Sequence, residues 1–275
     1  QVSWPHLSVR QSAFDFHRIT EAFKKIYPKP WVNTGASKGG MTSIFHRYFF
    51  PNDVSGTVAD VAPLSFSTSD SRYIEFIKSV GGESRANCRK KIQDYQTEML
   101  SRRGEFHARP EDQFRQLGSS DTAYEHALVE LPFYFWQYGN PDNEKSGCDS
   151  IPRLASYDDM LEFLNHVSGV SEYSDQSLTP LLPYFFQAAH ELGTPANWID
   201  HLGTLLRYDF SLSQYIPRNS NPHYSNELMI QIQTWMKQEA DHILLIYGEY
   251  DPWTAGAFPT SQSGREVIRL DVPEG

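Results

Sequence analysis

Apolar residues recur along the chain with a helical period in some stretches and as short strand-like runs in others. Val9, Ala13, Phe16, Ile19, Phe23 and Ile26 fall at helical spacing and predict an amphipathic helix. Ser8 with Gln11 three residues on forms a candidate capping box, and Pro28 and Pro30 end the run. Residues 31–34 are a short strand candidate, 35–40 a glycine-rich turn, and 41–50 a second helix stopped by Pro51 and Asn52. Residues 56–62 predict another strand, closed by Pro63. Helix, strand, helix and strand in this rhythm is the signature of a parallel α/β sheet.

The middle of the chain, from about residue 69 to 236, is mainly helical and irregular, with many aromatics and both cysteines. Helices are expected from Tyr73, from Cys88 to Arg103, from Thr122 to Tyr138 with an interruption at Pro132, and over 157–167 and 181–192. Strand-like runs return at 242–247, ended by Gly248, and at 266–272, ended by Pro273. The organisation expected is α/β core over 1–68, helical cap insertion over 69–236, and α/β core again over 237–275.

The 275 residues are 39% hydrophobic and 21% charged, a globular composition. The net charge of −10 argues against nucleic acid as a partner, because an acidic surface repels phosphate backbones. No apolar run reaches the roughly 18–20 residues of a membrane span. Aromatics at 14% can fill a core and can also line an apolar pocket. The two cysteines, Cys88 and Cys148, are compatible with one disulfide and equally with two buried thiols. No His/Asp/Glu group shows ligand spacing such as H-E-x-x-H, so no metal and no cofactor is expected.

Chemistry concentrates at Gly35-Ala36-Ser37-Lys38-Gly39, a G-x-S-x-G motif set between a strand candidate and a helix candidate. A nucleophile on so tight a turn has its hydroxyl pushed clear of the sheet, and the glycines on either side give the backbone room. The next helix aims its N-terminus at the site and favours a negative tetrahedral intermediate. The Lys38 N–H is then one oxyanion donor. In an α/β-hydrolase the acid comes after a later strand and the histidine comes last. Asp251 stands after the strand 242–247 in the order required, with Glu249 as the fallback. All ten histidines precede Asp251, so none is assigned as the base, and His17 and His46 read as structural residues.

These residues resemble the secreted prolyl tri/tetrapeptidyl aminopeptidases, serine peptidases of the α/β-hydrolase fold. The resemblance rests on Trp31-Val32-Asn33-Thr34-Gly35-Ala36-Ser37-Lys38-Gly39-Gly40-Met41-Thr42, on the segment from Phe50-Pro51-Asn52-Asp53 to Ala62-Pro63, and on Tyr247-Gly248-Glu249 with Asp251-Pro252-Trp253. It extends loosely through Arg72-Tyr73, Cys88-Arg89 and Phe135-Trp136-Gln137-Tyr138. It implies an exported (secreted or periplasmic) peptidase that removes short peptides from free N-termini by cleavage after proline. Ser37 would be its nucleophile and Asp251 its acid. It also implies a base a few residues past Gly275 and earlier strands ahead of Gln1, so the chain is expected to be an interior portion of such an enzyme. An exported protein makes Cys88–Cys148 an expected disulfide.

Cleavage after proline needs a dry aromatic slot, for which Phe133, Phe135, Trp136 and Trp253 are candidates. Capture of a free N-terminus needs a carboxylate, for which Glu125 and Glu130 are candidates. An esterase or lipase with the same catalytic residues, and an inactive binding relative, are the competing readings.

Overall fold

The computed structural model describes residues 2–139, 141–142, 147–217, 220 and 222–275, which fall into two compact units. The first comprises 1–72, 186–195 and 222–275; the second comprises 73–185 and 196–221. In chain order the helices and strands are α1 (Val9–Lys24), β1 (Val32–Ala36), α2 (Lys38–Phe49), β2 (Gly56–Asp60), α3 (Arg72–Ser79), α4 (Ala86–Ser101), α5 (Ser120–Tyr138) and α6 (Tyr157–Ser168). They continue with α7 (Asp175–Leu178), α8 (Leu182–Gln187), α9 (Glu227–Gln238), β3 (Ile243–Gly248) and β4 (Val267–Val272).

The first unit is built on a four-stranded parallel sheet in the order β1-β2-β3-β4. The register pairs Ala36 with Asp60, Asp60 with Ile246, and Tyr247 with Asp271, so all four strands point the same way. Ser8 caps α1 by accepting from the Gln11 N–H, which is half of the expected capping box; the Gln11 side chain donates to Asp15 and the Ser8 N–H to His6 O. The buried side of α1 differs from the expectation. It buries Val9, Ala13 and Thr20, while Phe16, Ile19 and Phe23 are exposed. Both stripes have helical spacing, and periodicity alone does not say which one meets α2.

The expected insertion of 69–236 is divided differently by the structure. Residues 186–195 return to the first unit, where Thr194 N–H bonds to Ser67 O and Asp70 N–H to Thr194 O. Helix α9 also belongs there, with Trp235 against Tyr48 of α2 at 5.4 Å between ring centroids. It is the helix that leads into β3, so it is part of the α/β alternation.

In the second unit α5 is the central helix, buried almost continuously from Thr122 to Pro132. The expected interruption at Pro132 does not occur. Proline removes the N–H that would serve the carbonyl four residues back. That carbonyl, Leu128 O, accepts instead from Gln96 Nε2 of α4 at 2.7 Å. Tyr124 OH donates to Met99 O and Ser168 Oγ to Ala127 O, tying α5 to α4 and α6. Cys88 and Cys148 form a disulfide across 60 residues, which stabilises the unit by about 4 kcal/mol in the chain-entropy account.

Candidate active site

Strand β1 ends at Ala36 and Lys38 opens α2, so Ser37 alone turns the chain. Its φ of 53° and ψ of −124° lie where non-glycine residues are strained. Two backbone bonds hold it there. Ser37 N–H donates to Asp60 O at the end of β2 (2.8 Å), and Ser37 O accepts from Met41 N (3.1 Å). A Cβ on Gly35 would lie 2.4 Å from the carbonyl carbon of Gly39, so the approach of strand to helix requires glycine at 35. At Gly39 a Cβ would meet nothing within 4 Å, whereas at Gly40 it would meet the Ala62 Cβ at 2.9 Å. The second glycine needed for space is therefore Gly40, where the motif pointed to Gly39.

Lys38 is the first residue of α2, so its N–H has no acceptor within the helix. That free N–H sits beside Ser37 at the positive end of the helix, as an oxyanion donor must. Lys38 lines a small cavity together with Val9, Thr42, Phe45 and Leu192, and burial lowers its pKa.

Asp251 comes after β3 at the same, carboxyl-terminal edge of the sheet. One strand, β2, separates β1 from β3, which sets their ends about 10 Å apart. Asp251 is buried, and its Oδ1 accepts from the Trp253 N–H at 2.9 Å. Desolvation raises its pKa from the ordinary carboxylate range to about 6. Among the described residues, Oδ2 has no hydrogen-bond partner. The chain leaving β4 folds back onto this loop, where Gly275 O accepts from Tyr250 N (2.7 Å) and Asp251 N (3.2 Å). Gly248 permits the approach, since a Cβ there would lie 2.3 Å from Gly275 O. Glu249, the fallback acid, is exposed and among the described residues accepts only from the Glu274 N–H. Burial thus separates the two acids. Trp253 is half-buried on the same loop.

No histidine among the described residues hydrogen-bonds Ser37 or Asp251. His17 and His46 share Asp53, His126 lies between Tyr215 and Asp209 O, and His201 meets Gln96.

The remaining candidates belong to the second unit. Glu125 is fully buried and accepts from Arg207 N–H, Tyr208 N–H and Arg103. Its oxygens are filled by these donors, which makes it the anchor of the 205–208 segment and leaves no lone pair for an incoming ammonium group. Glu130 differs. Its one side-chain bond is from Tyr173 OH (2.7 Å), burial raises its pKa, and its charge is felt by Tyr134, Tyr184 and Tyr215. Phe133 is half-buried near Tyr73, with centroids 5.8 Å apart. Trp136 and Phe135 are core residues packed edge to face, and Trp136 borders only a cavity of about 10 Å³ beside Pro132 and Trp198.

Comparison with known proteins places this arrangement. The family model of the PS-10 peptidase S37 proteins matches residues 1–274. A prolyl tri/tetrapeptidyl aminopeptidase from Streptomyces mobaraensis is 38% identical over 99% of the chain. The chain spans 58% of that relative's length.

Proposed function

The chain belongs to the PS-10 peptidase S37 family, and on that premise we propose that it carries the nucleophile and acid of an α/β-hydrolase serine exopeptidase. Its substrates are free N-terminal peptides, cleaved after proline to release tri- and tetrapeptides. The observation that carries this reading is the strained Ser37 turn between β1 and the N-terminus of α2, with buried Asp251 two strands away on the same sheet edge.

In this reading Ser37 Oγ attacks the prolyl carbonyl carbon and gives its proton to a histidine held by Asp251 Oδ2. The oxyanion that forms accepts from the Lys38 N–H. The histidine passes the proton to the departing amine, the C–N bond breaks, and water then hydrolyses the acyl-enzyme by the reverse roles.

Glu130 is the better candidate for the substrate ammonium, because a desolvated carboxylate among tyrosines gains most from a cation. Phe133 and Trp253 remain candidates for proline contact. The disulfide supports an exported protein.

A fluorophosphonate probe is expected to label the enzyme at Ser37, and Ser37→Ala to abolish labelling. Labelling that survives the substitution would remove Ser37 from this role. Hydrolysis of an unblocked Xaa-Xaa-Pro reporter should exceed that of its N-acetylated form. Faster turnover of a simple acyl ester than of both would favour an esterase.

A further inference from the structure

A second cluster of chemically capable side chains lies in the first unit, at the opposite end of the strands from Ser37. His17 and Glu21 are four residues apart on α1 and so share a helix face. Asp53 stands in the loop between α2 and β2. The ligand atoms of these three residues lie within 4.8 Å of one another. His17 Nδ1 is 2.8 Å from Asp53 Oδ2, and the His17 ring is stacked on Phe50 with centroids 4.0 Å apart and planes 5° from parallel. The imidazole is therefore held with Nδ1 against Asp53, and a Glu21 carboxylate oxygen lies within 4.8 Å of the group.

A fourth residue orients the group. Asn33 Nδ2 donates to Ser43 O at 2.9 Å, which fixes its amide, and the same nitrogen faces His46 Nδ1 at 3.3 Å. An amide nitrogen only donates, so His46 Nδ1 accepts and the ring proton is on Nε2. That proton is donated to Asp53 Oδ2 at 2.8 Å. His46 is thus an outer partner of the carboxylate, as the residues that steer metal-binding carboxylates are. Asp53 is buried, and among the described residues it pairs with no lysine or arginine. The nearby cations are engaged elsewhere, Lys24 with Asn52 O and Arg47 with Val54 O.

We propose that His17, Glu21 and Asp53 bind a divalent first-row transition ion of the Zn²⁺ type, with His46 as the orienting group. One imidazole and two carboxylates suit such an ion and would neutralise its charge. Bonds of about 2.0–2.2 Å hold two ligands no more than about 4.4 Å apart. The exposed Glu21 side chain is free to close the remaining distance. The ion takes the Nδ1 lone pair of His17, and the Nδ1 proton leaves to solvent. Positions facing water stay open, so the ion is exchangeable and ties α1 to the loop ahead of β2. The short spacing of a contiguous motif does not reveal the site, because Asp53 is 36 residues from His17.

The test is titration of the EDTA-treated, desalted protein with Zn²⁺ by calorimetry and with Co²⁺ by its visible absorption. One ion per chain is expected, together with a higher unfolding temperature in Zn²⁺. Glu21→Gln, at an exposed position that does not threaten folding, and His17→Asn should each weaken binding by more than about tenfold, as loss of even an outer-shell group does. His242→Ala should change nothing; it removes the histidine of the exposed Asp241, His242 and Glu266 group. No saturable binding, binding unchanged by Glu21→Gln and His17→Asn, or binding lost with His242→Ala would each overturn the proposal.

Discussion

Gln96 Nε2 donates to Leu128 O, the carbonyl that Pro132 leaves without its helical partner. Both groups are buried, so α5 continues through its proline with the missing donor supplied by another helix. Gln96→Leu should cost about 1–3 kcal/mol in urea unfolding, the penalty for a buried carbonyl with no donor. Pro132→Ala returns the N–H and should recover, in the double variant, the part of that loss that belongs to Leu128 O, while the part due to the lost Gln96–His201 bond stays. Equal costs for Gln96→Leu with and without Pro132 would show that the bond is not what bridges the proline.

The elbow makes a sharper distinction between its glycines than the motif does. Gly35→Ala should destabilise by more than about 2 kcal/mol, because the new Cβ meets the Gly39 backbone at 2.4 Å. Gly39→Ala meets nothing and replaces a helical glycine, so it should be neutral or stabilising by up to about 1 kcal/mol. Chemical denaturation of the two single variants is sufficient. Similar losses in both would contradict the packing described.

Asp251 should make stability depend on pH with a definite sign. Its folded value of about 6 lies above the unfolded value of about 3.9, so the folded chain binds this proton more tightly. The contribution is fully present below about pH 4 and is lost as pH rises through 6. Asp251→Asn keeps an acceptor for the Trp253 N–H and removes the buried charge. In the 1–275 chain it should match the parent near pH 4 and exceed it at pH 8 by on the order of 3 kcal/mol. A gain that is the same at both pH values would rule out desolvation of the carboxylate as its cause.

Glu125 and Glu130 should separate in their effects. Glu125→Ala leaves Arg103 buried beside Asp121 alone and two backbone N–H groups unserved, at a cost of about 3–5 kcal/mol. Glu130→Gln removes one hydrogen-bonded carboxylate and should fold nearly normally. In the active enzyme it should raise KM for unblocked peptides more than for N-acetylated ones. The reverse pattern, with loss of folding at 130 and loss of peptide affinity at 125, would exchange the two roles.

The sequence by itself determined the α/β alternation, the Ser37 turn and the family. These are local matters: helix periods, strand-like apolar runs, and a turn whose strain needs glycine beside it. It could not decide which stripe of α1 is buried, because Phe16, Ile19 and Phe23 have the same helical period as Val9, Ala13 and Thr20. Nor could it tell Glu125 from Glu130, two acids on one helix whose difference lies in the donors that reach them from Arg103, 207–208 and Tyr173. The continuity of α5 through Pro132, the return of 186–195 to the sheet unit, and the meeting of Asp53 with His17 and His46 were likewise decided in three dimensions. Each depends on partners distant along the chain or on a neighbouring element, and a hydrogen bond or a buried charge is set by what surrounds it in space.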